Sequence, residues 1–87
     1  MTVMFYETEP EGMARAREHF AAHRARLDAF HARGVLAMAG PFTEHSKGAM
    51  GIFTTREAAE EFVAGDPFVV HGVVARWTLQ EWNQVLG

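Results

Sequence analysis

The sequence predicts an α+β domain with the ferredoxin-like βαββαβ order of elements, a four-stranded antiparallel sheet and helices on one face. Three observations predict it: short apolar runs typical of strands, a long segment with helical periodicity after the first run, and a capped helical segment before the last run. The 87 residues form one domain, 1–87, because a second domain would be too small to bury a core.

The first half of the chain contributes a strand, a long helix and a second strand. Residues 2–7 form a short apolar run that predicts a buried strand, and residues 9–12 predict a turn. Residues 13–33 predict a helix, because apolar side chains recur at spacings of three and four. Residues 35–39 form a second apolar strand that a Gly-Pro dipeptide ends. The apolar stripe of the helix consists of Met13, Ala16, Phe20, His23, Leu27 and Phe30.

The second half supplies two more strands and a shorter helix. Residues 48–53 predict a strand that pairs with the preceding one through a polar loop. Thr54 followed by Glu57 has the spacing of a capping box, so a helix is expected to begin there and to end at Gly65. Residues 73–82 predict the last strand, which alternates apolar and polar side chains and therefore has one wetter face.

The segment of residues 64–72 holds the chemistry-bearing side chains, with two glycines, a proline, a carboxylate and an imidazole. Asp66 before Pro67 is typical of an N-cap and the first position of a short helical turn, here through His71. His23 lies in the apolar stripe of the long helix, and an unpaired buried polar group costs about 1–3 kcal/mol. We therefore expect Asp66 to pair with His23 and to fix the tautomer of its ring.

Two functions are compatible with this pair. In an enzyme, His23 would act as a general base that Asp66 orients, and it would move one proton. In a ligand-binding or interaction module, His23 would be a satisfied core histidine and Asp66 a helix cap. A purely structural pair stabilises the fold, whereas active-site residues often do not.

Five further positions are candidate substrate contacts. Two are backbone positions at a strand end, two share the segment that carries the predicted carboxylate, and one is a cation on the wetter face of the last strand. Each also has an ordinary explanation, as a strand terminator, a core side chain or a solvated surface group. The five candidates are Gly40, Pro41, Phe68, His71 and Arg76.

Composition excludes several other classes of function. His19 and His23 are four residues apart and could share a metal, but no third ligand is evident, so no metal is expected. A one-proton reaction also needs no organic cofactor. The chain has no cysteine, and its net charge of −3 with no basic cluster argues against nucleic-acid binding. No apolar run approaches the roughly 20 residues of a membrane span, and no signal peptide is recognisable, so a cytoplasmic protein is expected.

The predicted fold leaves one sheet face uncovered. Apolar side chains of the first three strands would remain on that face, and such a patch is unusual on a soluble monomer. A homodimer that packs sheet face against sheet face is therefore expected. Trp77 is expected in the core, and Trp82 in the core or at the dimer interface.

Taken in order, these residues resemble the YCII-related (YciI-like) domain family over essentially the whole chain. The resemblance implies a dimeric α+β barrel, similar to muconolactone isomerase, with an active site that contains His23 and Asp66. One branch of the family eliminates chloride from a chlorinated hydroxyquinol. The resemblance therefore implies an isomerisation or elimination in which His23 acts as general base and then acid, on a small aromatic, phenolic or lactone-like molecule. The chain departs from the family in Arg24 and Arg26, where a Leu and a Tyr are usual. The matching residues are His23 with Leu27, Gly40-Pro41-Phe42, the glycines of the third strand, Glu57-Ala58, Asp66-Pro67-Phe68, Gly72 and Trp82.

Overall fold

The computed structural model describes all 87 residues and confirms the predicted α+β, ferredoxin-like architecture. One short helix, at Pro10–Met13, is added to the predicted order, the helical turn predicted after Asp66 is confirmed at Pro67–Val70, and a 3-10 turn at His45–Lys47 precedes the third strand. The elements are β1 (Thr2–Thr8), α1 (Pro10–Met13), α2 (Ala16–Ala32), β2 (Leu36–Pro41), β3 (Ala49–Phe53), α3 (Arg56–Gly65), α4 (Pro67–Val70) and β4 (Val74–Glu81).

The sheet has four strands in the order β2-β3-β1-β4, and all neighbouring strands are antiparallel. In the register of β1, Tyr6 lies opposite Ala49 on β3 and Trp77 on β4. Because partners in an antiparallel pair point to the same face, the register assigns every strand residue to one of the two faces. Tyr6, Ala49 and Trp77 therefore lie on the sheet face that is turned toward the helices.

The core lies between the helix-facing side of the sheet and the buried sides of α2 and α3. Phe62 of α3 is fully buried at its centre. It packs edge-to-face on Phe30 of α2, at 5.1 Å between ring centroids, and against Phe53 of β3, at 5.4 Å. Such contacts stabilise the core beyond simple area burial. No helix is both long enough and apolar enough to cross a membrane.

The first helical region differs from the prediction of one helix over residues 13–33 preceded by a turn. Pro10 occupies the first position of α1, where the missing N–H is not needed, so the chain becomes helical earlier than expected. The main helix α2 then begins only at Ala16. Gly12 lets this short helix approach the chain closely at Val73, since a Cβ there would lie 2.5 Å from the carbonyl oxygen of Val73.

The predicted capping box at Thr54 was wrong by one residue. Thr55 is the N-cap of α3, and its hydroxyl oxygen accepts a hydrogen bond from the backbone N–H of Ala58 at 3.1 Å. Thr54 is held outside the helix because its own N–H donates to the carbonyl of Val35 at 2.9 Å. Glu57 therefore occupies the second helical position, where a reciprocal capping box cannot form.

Three side chains lie differently from the sequence prediction. Phe20, expected in the buried stripe, is 55% exposed because this half of α2 stands over an open cleft. Arg26, which the helical spacing places outside the apolar stripe, donates to the carbonyl oxygens of Glu61 and Phe62 at 2.8 and 3.1 Å, where a cation complements the end of α3. Trp77, expected in the core, is 43% exposed because β4 is an edge strand.

The sheet face opposite the helices is apolar and carries a shallow hollow of about 310 Å³. Phe5 lies at its centre, opposite Met50 on β3, and is 37% exposed. Val3 and Ile52 form the next pair in the register, and Trp82, 44% exposed, borders the hollow. No element of the chain covers this face.

Candidate active site

A cleft of about 640 Å³ separates α2 from the helix-facing side of the sheet. Ala39 and Ala49 line its floor, and their small side chains leave this space unfilled. At the other end of the same sheet face, Leu36 and Phe53 are large and buried, and the layers close. The cleft volume lies within the range of small-molecule sites in proteins.

His23 extends from α2 into the cleft. Its Nδ1 lies 2.7 Å from Oδ1 of Asp66, the contact that the sequence predicts. Phe68 stacks on one face of the imidazole, with 3.8 Å between ring centroids and planes 2° apart. Since a carboxylate can only accept, Nδ1 carries the hydrogen, and in the neutral ring Nε2 keeps a free lone pair. Nε2 has no protein partner, yet every buried side-chain nitrogen and oxygen has one, so Nε2 is open to the cleft.

Asp66 is fully buried and sits at the junction of α3 and α4. Its carboxylate accepts hydrogen bonds from His23 Nδ1 at 2.7 Å and from the Tyr6 hydroxyl at 2.6 Å. The same group caps α4 by accepting from the N–H of Phe68 at 3.3 Å. Two short hydrogen bonds and the cap compensate for burying a charge, which would otherwise be expensive. The carboxylate is therefore held in one position against the imidazole.

Tyr6 is the member of this site that sequence reasoning missed. Its ring is buried in β1, and its hydroxyl donates to Asp66 Oδ2. Burial, and after it the charge of the Asp66 carboxylate, raise the pKa of the Tyr6 hydroxyl far above its usual range. The phenol therefore stays protonated as a donor. The signal was available, since a buried tyrosine hydroxyl needs a partner for the same reason as a buried imidazole.

The other predicted contacts divide into two groups. Gly40, Pro41 and Phe68 line the cleft. His71 lies outside it, exposed at the end of α4 and stacked on His19 with 4.0 Å between ring centroids. Arg76 also lies outside, since it sits on β4 and pairs with Glu7 at 3.2 Å. The structure therefore places the strand-end backbone and Phe68 in the same cleft as His23, and leaves His71 and Arg76 outside it.

Five polar side chains line the rest of the cleft, and one of them is Thr8, whose hydroxyl donates to the carbonyl oxygen of His45 at 3.5 Å. Arg24 and Asp28 lie on α2 and form an ion pair at 3.1 Å, both largely exposed. His45 lies in the turn before β3. His31 lies near the end of α2, and its Nδ1 is 2.8 Å from the carbonyl oxygen of Leu36. No group of three or more carboxylate or imidazole side chains is arranged to hold a metal ion.

The sequence profile of the YCII-related domain matches residues 1–83. The chain belongs to the YCII-related domain family. Its fold is similar to that of 5-chloro-2-hydroxyhydroquinone dehydrochlorinase (TftG) from Burkholderia phenoliruptrix AC1100, solved in complex with 2,5-dihydroxybenzoquinone. The match has a TM-score of 0.76 and 21% sequence identity, and covers 94% of this chain and 92% of that chain. No protein with a curated description matches the sequence.

The geometry of this YCII-related site suits proton transfer. A carboxylate behind Nδ1 stabilises the imidazolium that forms when Nε2 takes a proton. The Tyr6 hydroxyl and the Phe68 ring hold the carboxylate and the imidazole from two sides. Groups locked in this way need little reorganisation during reaction, which favours catalysis.

Proposed function

We propose that the protein is a small-molecule enzyme in which His23 transfers one proton. The observation that carries this proposal is the free Nε2 of His23, open to the cleft while Nδ1 is held by a buried carboxylate. A positioned base of this type typically contributes 10²–10⁴-fold to a rate.

In the proposed reaction, Nε2 accepts a proton from the substrate and Asp66 remains ionised beside the imidazolium. In an elimination, the bond to the leaving group breaks with its electron pair as the proton is taken. In an isomerisation, His23 returns the proton to another substrate atom. Both are redox-neutral, so the proposed steps need neither an organic cofactor nor a metal.

The proposed substrate is a small aromatic, phenolic or lactone-like molecule. The similar dehydrochlorinase binds 2,5-dihydroxybenzoquinone, a flat ring with acidic hydroxyls. The cleft here lies between α2 and the sheet, is lined mostly by apolar residues and has Nε2 on one side. A single aromatic ring fits within its volume of about 640 Å³, and a lyase of the dehydrochlorinase type is therefore the first activity to test.

The experiment compares chloride release from 5-chloro-2-hydroxyhydroquinone by the wild type and by His23→Asn. An asparagine amide can still donate to Asp66 from near the Nδ1 position, but it provides no base at the Nε2 position. We expect turnover to fall by about 10²–10⁴-fold with the fold retained. His71→Asn is the matched control, since it makes the same change outside the cleft. Equal turnover by wild type and His23→Asn would contradict the proposal.

A ligand-binding or interaction module is the second candidate function. The observation that favours it is that the same contacts join α4 to α2, through His23, Asp66 and Phe68. A purely structural pair predicts a clearly lower melting temperature for both Asp66→Asn and His23→Ala. An active-site pair predicts melting temperatures that are unchanged or raised. Loss of stability in both variants, with no turnover of any phenol by the wild type, would favour the binding module.

We further propose that the protein is a homodimer that joins through the open sheet face. The support is the uncovered apolar surface around Phe5, Met50 and Ile52, of the kind that marks protein interfaces. Analytical ultracentrifugation of Phe5→Glu is expected to show a monomer. Val70→Glu is the control, because Val70 is 60% exposed on α4, away from that face. A monomeric wild type would refute this assembly.

A further inference from the structure

A second histidine in the cleft is held in the same way as His23. His31 lines the cleft, and its Nδ1 lies 2.8 Å from the carbonyl oxygen of Leu36. A carbonyl oxygen only accepts, so Nδ1 carries the hydrogen and the neutral ring presents Nε2 as an acceptor. Nε2 of His31 has no protein partner. The backbone thus fixes the ring and leaves one hydrogen-bond acceptor unused.

The two imidazoles differ in what lies behind them. Asp66 is a charged partner for His23, and it stabilises an imidazolium. Leu36 offers His31 a neutral carbonyl, which orients the ring with much less stabilisation of a positive charge. His31 is therefore suited to binding a ligand group and less suited to taking a proton from it.

The separation of the two rings sets the length of a ligand that reaches both. His23 and His31 are eight residues apart on α2, which is about 12 Å along the helix axis with a rotation of about 80°. Their side-chain tips are then about 14 Å apart. A hydrogen bond of about 2.8 Å at each end leaves about 8 Å between the polar atoms of the ligand. That length exceeds the spacing of para substituents on one six-membered ring.

The surroundings indicate the chemistry of each part of the ligand. Leu27 lies between the two histidines on α2, and Leu36 and Ala39 line the same stretch, so the middle of the ligand is apolar. Arg24 lines the cleft beside Asp28, and because the two side chains form an ion pair they add no net positive charge to attract an anionic end group. A neutral hydroxyl that donates to Nε2 is therefore the fitting end group.

We propose that His31 is a specificity-determining residue that binds the far end of an elongated ligand, two rings or a ring and a short chain in length, with a hydroxyl at each end. This inference rests on the proposed function, because it takes His23 as the site of the first hydroxyl. It adds a substrate length and a second binding residue to that function.

The test uses two probes that differ in one hydroxyl, 2,6-dihydroxynaphthalene and 2-naphthol. Binding is measured by calorimetry at about pH 8, where ordinary imidazoles are mostly neutral and phenols remain protonated. We expect the wild type to prefer the dihydroxy probe by roughly 2- to 12-fold, the value of one uncharged hydrogen bond. His31→Asn can keep a donor to Leu36 while removing Nε2, and it is expected to lose the preference. His71→Asn, the control outside the cleft, is expected to keep it.

Three results would overturn the inference: equal affinity of the wild type for both probes, no binding of either, or a preference that survives in His31→Asn. If the inference is correct, NMR spectra also show that the dihydroxy probe shifts the resonances of the carbon-bound ring protons of His31 more than the monohydroxy probe does. The proposed function is tested by a separate experiment, the comparison of chloride release by the wild type and by His23→Asn. A lost probe preference with His23-dependent turnover intact would reject only the role of His31.

Discussion

Replacing Tyr6 by phenylalanine tests the hydrogen-bond network behind the imidazole. The substitution keeps the buried ring and removes only the hydroxyl that donates to Asp66 at 2.6 Å. A hydrogen bond to a charged group contributes about 1.5–3 kcal/mol, and the fully buried carboxylate has no water to replace the lost donor. We therefore expect Tyr6→Phe to lower the free energy of unfolding by about 2 kcal/mol. In a domain of this size that lowers the melting temperature by about 8–16 °C.

The assay is urea unfolding, with a midpoint that falls and an m-value that stays unchanged. The matched control is Thr2→Val, which also removes a hydroxyl that donates to a carboxylate, Glu81, at 2.8 Å. Glu81 is 59% exposed, so water can replace the lost donor and the expected cost is below about 1 kcal/mol. The reasoning would be refuted if Tyr6→Phe lowered the free energy of unfolding by less than about 0.5 kcal/mol, or by the same amount as Thr2→Val.

Three further outcomes are expected. The pKa of Tyr6 is raised on folding, so its contribution to stability is complete below the ordinary phenol pKa of about 10 and is lost as the pH rises beyond it. Because Tyr6 is the only tyrosine, tyrosinate absorbance should appear only with unfolding, and appearance in the folded protein would contradict the burial. Ala49→Leu should fill the cleft and abolish binding of 2,5-dihydroxybenzoquinone without lowering the melting temperature; retained binding would place the ligand elsewhere. Gly12→Ala should lower the melting temperature, because its Cβ would lie 2.5 Å from the Val73 carbonyl oxygen. In the control Gly40→Ala the new Cβ meets nothing within 4 Å, so the melting temperature should not change, and similar melting temperatures of the two variants would argue against the close approach at Gly12.

The fold could be predicted from local patterns because strand runs and helical periodicity are read from neighbouring residues. Errors arose where a competing contact decided the outcome. Thr54 has the right spacing for a cap, but its N–H is taken by Val35, a partner far away in the sequence. Phe20 has the right period for burial, but a cleft lies beneath it. Neither the distant partner of Thr54 nor the cleft beneath Phe20 can be inferred from the neighbouring residues in the sequence.

The site could be predicted in part. His23 was recognisable because a polar residue interrupts an apolar stripe, and Asp66 because it precedes a proline in a glycine-bearing segment. The hydrogen bond between Tyr6 and Asp66, which are 60 residues apart in the sequence, depends on the strand register and on the position of α4. The cleft depends on small side chains such as Ala49 facing the helix, and a single alanine in a strand does not reveal its face. Tertiary placement decides both features.

The central claim is that Nε2 is the acceptor nitrogen of the neutral His23 ring and is exposed to the cleft. Nitrogen-15 NMR of the imidazoles tests it most directly, with spectra recorded with and without 2,5-dihydroxybenzoquinone. We predict hydrogen on Nδ1, a bare Nε2 in the neutral ring, and a shift of the Nε2 resonance when the ligand is added. A hydrogen on Nε2, or an Nε2 resonance that the bound ligand leaves unchanged, would contradict the claim.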